Sequence, residues 1–134
     1  MRACAAAQVV LIGSFLNLRA ITNWLRDNKP PHLLLVCSGT YEQAAFEDIL
    51  AAGAVCERVW PNYAGGMVAD SAELARRIYP LMQPNLLDAL KQSRNGRRLL
   101  SMPGLRDDVW FSVQRETISF TAQMSAEGVI RKMS

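Results

Sequence analysis

Two unbroken apolar runs, Val9-Val10-Leu11-Ile12-Gly13 and Leu33-Leu34-Leu35-Val36-Cys37, stand near the front of the chain. Each is followed by a small polar turn and then by apolar residues at helical spacing. A short run without polar alternation suits a strand covered on both faces, as in a parallel sheet. After the first run Ser14 is placed to cap a helix, and Phe15, Leu18, Ile21, Thr22 and Leu25 mark its inner face. Asp27-Asn28-Lys29-Pro30-Pro31 ends that helix, because paired prolines cannot continue it. After the second run Ser38-Gly39-Thr40 turns the chain, and Thr40 with Gln43 fits a capping box. Ala45, Ile49 and Ala52, with Phe46 and Leu50 beside them, then line a helix that Gly53 is placed to stop. The opening order is therefore β-α-β-α, which predicts parallel pairing with helices packed on the sheet.

Further on, residues 55–60 read as a third short strand and residues 61–66, with Gly65-Gly66, as a loop. Asp70 with Glu73 repeats the capping-box pattern ahead of a helix that buries Ala72, Ala75, Ile78 and Tyr79. Pro84 opens another helix through Leu90, and Asn95-Gly96 reads as a turn. The tail changes character: residues 109–113 and 118–120 carry strand formers, and Val129-Ile130 returns as a strand after a Glu127-Gly128 turn. The predicted fold is α/β: a layered, partly parallel sheet with helices packed on it and a strand-rich C-terminal tail. It forms a single domain over residues 1–134, without repeats or low-complexity segments.

Composition narrows the partners. With half of 134 residues hydrophobic and a fifth charged, the chain can bury one core and leave an apolar surface for a homo-oligomer contact. The net charge of +3 is spread out apart from Arg94, Arg97 and Arg98. A nucleic-acid footprint clusters more tightly, so nucleic acid is not the expected partner; a small anionic ligand suits the mild positive bias. Three cysteines at no zinc spacing read as reduced thiols. Residues 1–13 hold one early arginine and too short an apolar run for a secretory signal, and no stretch approaches a membrane span. A cytoplasmic location is expected.

Ligands of parallel sheets sit beyond the carboxyl ends of the strands. Here those ends are Gly13-Ser14-Phe15-Leu16-Asn17 and Cys37-Ser38-Gly39-Thr40. Both open helices, whose first amides attract phosphate or sulfonate; Ser14 and Thr40 are equally readable as plain caps. Glu47 and Asp48 point about 100° apart on their helix, so one of them borders the packed face and needs a partner. They read either as ligands to a hard cation or as solvated helix charges. Cys37, at a helix start, is either a thiol activated as a nucleophile or core packing. His32, the sole histidine, follows two prolines, which argues against a Ser-His-Asp triad. Asp107-Asp108 is either a metal pair or a capped turn. The Arg94-Asn95-Gly96-Arg97-Arg98 stretch is either an anion clamp or an exposed basic turn.

These segments, taken in order, resemble the 2-phosphosulfolactate phosphatases. Val10-Leu11-Ile12-Gly13-Ser14-Phe15-Leu16-Asn17 is similar to the family's V-L-x-G-S-x-x-N segment. Leu34-Leu35-Val36-Cys37-Ser38-Gly39-Thr40, with Phe46-Glu47-Asp48 and Ala52-Gly53-Ala54, is similar to its V-C-x-G-T, E-D and A-G-A block. Asp70-Ser71-Ala72, Ser93-Arg94-Asn95-Gly96-Arg97 with Leu100, and Asp107-Asp108-Val109 follow its later pattern. The resemblance is to the C-terminal part of the family, Arg2-Ala3 looking like the end of an N-terminal-half T-T-N-G-T-R-A loop. Family members tend to have Asp and Val-Pro where this chain has Arg115-Glu116 and Thr121-Ala122.

The resemblance implies a phosphoric monoester hydrolase that uses Mg2+ on 2-phosphosulfolactate or a similar small phosphorylated acid. It implies catalytic roles for Cys37, Glu47 and Asp48, metal binding by Glu47 and Asp48, and substrate binding by Ser14, Asn17, Ser38, Gly39, Thr40 and Arg97. Without the family's N-terminal half, weak or no activity is expected of the lone chain. The alternative is a non-catalytic, oligomeric small-anion-binding or protein-interaction domain.

Overall fold

A computed structural model describes Cys4 and residues 6–133. Arg2-Ala3 lies outside the described residues. The chain is mixed α/β, with strands β1 (Val10–Ile12), β2 (Ala122–Met124) and β3 (Ile130–Lys132). Its helices are α1 (Leu18–Asn28), α2 (Phe46–Tyr63), α3 (Asp70–Met82), α4 (Leu86–Gln92), α5 (Arg94–Leu100) and α6 (Arg106–Ser112). Short 3-10 turns precede α1, α4 and α6.

One core runs through the helices. Phe15, in the 3-10 turn ahead of α1, and Leu18, Ile21 and Leu25 of α1 face inward, meeting Leu50, Ala54, Val55 and Val59 of α2, Tyr79 of α3, Leu86 and Leu90 of α4, and Val109 of α6. The Phe15 and Tyr79 rings stack with centroids 6.2 Å apart. Helices α2 and α3 meet closely at Gly53, where a Cβ would lie 2.2 Å from the Ala75 carbonyl oxygen. Gly53 therefore does not stop the helix; it lets α2 continue beneath α3. Lys29, in left-handed geometry, ends α1, and its amide donates to the Leu25 carbonyl before the two prolines.

The sheet departs from the expected parallel arrangement. Among the described residues it has three strands in the order β1-β2-β3, both pairs antiparallel, with Val10 opposite Met124 and Ala122 opposite Lys132. Residues 33–37 are in no sheet, although Leu33 and Leu35 pack on the core while Leu34 and Val36 face outward. From Leu33 to Val36 the side chains alternate as along a strand, Cys37 is exposed out of that alternation, and among the described residues the segment has no ladder partner. Residues 55–60 are helical instead, since Val55 and Val59 share one face of α2 at a spacing of four. Residues 109–113 likewise form the end of α6 and its cap: Val109 is buried and Trp110 and Phe111 are half exposed, a helical rather than an alternating pattern.

The tail returns along the front of α1. The Glu116 amide donates to the Phe15 carbonyl at 3.0 Å and that of Ile118 to the Leu16 carbonyl at 2.9 Å. The Glu116 carboxylate pairs with Arg58 at 2.5 Å and Arg19 at 3.7 Å. Where the chain departs from the resembled pattern it thus carries its own ion pair, joining the tail to α1 and α2. No helix among the described residues is long and apolar enough to cross a membrane.

Candidate functional site

A crevice of about 360 Å3 opens where the exit of β1, the first turn of α2, the start of α5 and helix α6 converge. Ser14, Glu47, Asp48, Ser93, Asn95, Asp108 and Ser112 supply its polar lining, and Phe15, Leu90, Leu99, Val109 and Phe111 much of its apolar wall.

The Ser14 turn is built by Asn17. Asn17 Oδ1 accepts from the Ser14 amide at 2.9 Å and from Ser14 Oγ at 3.2 Å, and its Nδ2 donates to the Ile12 carbonyl at 2.9 Å. Asn17 is buried, so its amide closes the turn while Ser14 faces the crevice. Ser14 caps the short 3-10 turn ahead of α1, as a Ser in extended backbone can.

The second loop is organised by Asp48. Its Oδ2 accepts from the Gly39 amide at 2.7 Å and from Ser38 Oγ at 3.3 Å. An anion does occupy these donors, but it is the chain's own carboxylate. Gly39 has φ +66, and a Cβ there would lie 2.6 Å from the Gln43 carbonyl oxygen, so this position calls for glycine. Thr40 and Gln43 are not a capping box. Each amide donates to the other's carbonyl, at 3.0 and 3.2 Å, around Tyr41 and Glu42, both at positive φ. This is a tight two-residue turn, and α2 starts only at Phe46, after Ala45 in extended backbone.

Helix α5 braces that turn. Asn95 Nδ2 donates to Thr40 Oγ1 at 2.8 Å and also to Glu47 Oε1. Arg94 reaches the Thr40 carbonyl at 3.1 Å and the Gln43 side chain; Arg98 donates to the Tyr41 hydroxyl at 3.1 Å and lies over its ring. Arg97 instead folds back to the Gln92 carbonyl and does not line the crevice. Asn95-Gly96 lies inside α5 rather than in a turn. The Gly96 amide donates to Ser93 Oγ at 3.0 Å, and a Cβ at Gly96 would collide with the Leu90 carbonyl, so glycine here serves close helix approach.

Glu47 Oε2 is buried without a hydrogen-bond partner among the described residues, beside a carboxylate that has two. A buried, unpaired carboxylate oxygen costs free energy and invites a cation or a donor. Desolvation first, then the charge of Asp48, push the Cys37 thiol pKa above its ordinary value. The crevice lining holds Glu47, Asp48 and Asp108 and, among the described residues, no basic side chain. No group of three metal-ligating side chains gathers among the described residues.

The structure thus brings Ser14, Glu47 and Asp48 to one crevice, with Ser38, Gly39 and Thr40 tied to its rim, and leaves Asn17 and Arg97 as supports beside it. Asn95 and Asp108 join them. Their segments stand out in the sequence, but the Asn-Gly dipeptide signals a turn and hides the helix that aims Asn95 at Glu47.

A mixed α/β domain with a carboxylate-lined crevice at its strand and helix ends is the class that these features define. The sequence pattern of the 2-phosphosulpholactate phosphatases matches residues 1–127. The chain belongs to that family. It is 28% identical over 124 residues to a probable 2-phosphosulfolactate phosphatase of Gloeobacter violaceus, covering 92% of this chain and 50% of that one. A protein of the same name from Thermotoga petrophila is 34% identical over 105 residues, 78% of this chain and 43% of the relative. One from Synechococcus sp. (strain JA-3-3Ab) is 32% identical over 126 residues, 91% and 50% respectively. The chain spans about half the length of these curated relatives.

Proposed function

We propose that this chain is a phosphatase-type domain for 2-phosphosulfolactate or a similar small phosphorylated acid, and that turnover by the lone chain is weak or absent. The observation that carries the reading is the Glu47-Asp48-Asn95 arrangement at the crevice, in a chain of this family. A phosphorylated, sulfonated acid is strongly anionic, and the described lining presents carboxylates. The complementary positive charge therefore comes from a bound cation or from groups beyond that lining.

Magnesium fits the residues present. It commonly takes one or two protein carboxylates and fills its remaining positions with water and phosphate oxygens, so it does not require a three-residue cage. Glu47, through its unpaired Oε2, is the ligand of choice, with Asp48 beside it. When bound, Mg2+ would stabilise the charge that develops on the phosphoryl oxygens. The protein's part is positioning. Asn95 fixes Glu47 through Oε1, Asp48 holds Ser38 and Gly39 in place, and Ser14 offers a hydroxyl from the opposite wall. Phe15, Val109 and Phe111 supply an apolar wall beside these groups.

The test is phosphate release from 2-phosphosulfolactate with Mg2+, for the parent, Glu47→Gln and Cys37→Ala. Magnesium-dependent turnover that falls at least about 100-fold in Glu47→Gln is the expected result wherever turnover is measurable. Turnover unchanged by Glu47→Gln, or by removing magnesium, would overturn the assignment.

A further inference from the structure

Residues 33–36 alternate as along a strand, with Cys37 exposed after them, and have no ladder partner among the described residues. Leu33 and Leu35 pack on the core, while Leu34 and Val36 stand 83% and 62% exposed. Among the described residues, no backbone hydrogen bond involves positions 33–38. Strand β1, whose Leu11 packs on the same core, is the outer strand of its sheet, so its far side is also open among the described residues. An unpaired apolar strand is a template for strand addition. The segment also runs directly into Ser38 and Gly39, which Asp48 ties to the crevice.

We infer that residues 33–37 are the docking edge for a β-strand from the half of the family's length that this chain does not span. Two observations select this occupant over a second copy of the chain, and a third is compatible with it. The curated relatives are about twice as long as the matched region, so in them a comparable mass of polypeptide accompanies this domain. A second copy would bring a second carboxylate-lined crevice, whereas a different sequence can bring the donors and cations that an anionic ligand needs. Phe111, 54% exposed at the crevice wall, gives the same occupant an apolar contact beside the site. Docking at 33–37 covers Leu34 and Val36, supplies the missing ladder, and delivers the partner's adjoining loop to Ser38, Gly39 and the crevice.

The inference rests on family membership and, in the argument from charge, on the proposed anionic ligand; its test reads binding rather than turnover. The chain is co-expressed with the complementary half of the Thermotoga petrophila relative and, separately, of the Gloeobacter violaceus relative. The expected result is a one-to-one complex by sedimentation. In it the amides of residues 34–37, which make no backbone hydrogen bond among the described residues, become protected at least about 100-fold. Leu34→Lys with Val36→Lys should weaken that complex at least about 100-fold, since both side chains leave water on docking. Both positions are exposed in the isolated chain, so the variant folds as the parent does, which circular dichroism checks. Leu74→Lys, an equally exposed site on α3, should bind like the parent. Three outcomes would overturn the inference: no complex with either half, a complex without protection at 34–37, or pairing of the segment with a second copy.

Discussion

Replacing Gly53 with alanine tests the packing that carries the site. An added Cβ would lie 2.2 Å from the Ala75 carbonyl oxygen, 2.8 Å from its carbon and 2.9 Å from Tyr79 Cβ. Comfortable carbon contacts lie at about 3.5–4.0 Å. Two of the three neighbours are backbone atoms, so no rotamer change relieves the overlap, and α3 has to move away from α2. That movement loosens contacts around Leu50, Ala54 and Tyr79, all buried. Overpacking of this kind costs about 1–3 kcal/mol and occasionally more. Alanine returns at most about 1 kcal/mol through its better helix propensity. The severity of the overlap puts the cost at the upper end, so the net loss is about 2 kcal/mol. For a chain of this size that lowers Tm by roughly 6–10 °C. Urea unfolding followed by tryptophan fluorescence measures it, with Gly13→Ala as control because nothing lies within 4 Å of a Cβ there. A Gly53→Ala variant as stable as its parent would refute the tight α2–α3 contact.

Asn95→Ala should lower stability by about 1–2 kcal/mol, measured in the same unfolding experiment, because Thr40 and Glu47 both lose a donor. Asp48→Ala should speed exchange of the Gly39 amide about ten- to hundredfold, read by NMR, because that amide loses its carboxylate acceptor. The hydrogen bond from Arg58, aided by the charges of Arg58, Arg19 and Arg115, holds the Glu116 carboxyl below its usual range. Its stabilisation is therefore fully present above the ordinary glutamate value of 4.5 and is lost as pH falls through the lower, folded-state value. Glu116→Gln should accordingly flatten the acid side of the Tm–pH curve. Alkylation of Cys37 by iodoacetamide, followed by mass spectrometry, should rise with pH to a midpoint above 9.0; a midpoint near neutrality would mean an activated thiolate.

Much of the front of the chain is legible because its signals are local. Ser14, the α1 stripe from Phe15 to Leu25 and the stop at Lys29-Pro30 depend on spacing and capping alone. The misreadings share a physical cause: a short apolar run has the same composition in a buried strand and in a buried helix. Residues 55–60 are helical because Gly53 allows α2 to continue under α3, a tertiary contact that no local pattern reports. Residues 109–113 carry strand formers, yet only Val109 reaches the core fully. Thr40 and Gln43 stand at capping-box spacing and close a two-residue turn instead, since Tyr41 and Glu42 adopt positive φ. At the site, the acidic pair Glu47-Asp48 is visible as a pair. The division between them is not, because it depends on Asn95, 48 positions away from Glu47, and on the Gly39 amide.

The register that sets Val10 opposite Met124 has a consequence for the order in which the molecule assembles. It joins segments more than a hundred residues apart, and closing a free loop of that length costs about 4 kcal/mol of chain entropy. Two three-residue strands cannot meet that cost before the helices between them have drawn the ends together. Helices α2 and α3, neighbours in sequence and in extensive contact, can associate first. During synthesis β1 stays without its partner until residue 124 has been added. Until then its unpaired edge, like that of residues 33–37, is open to any other strand that reaches it.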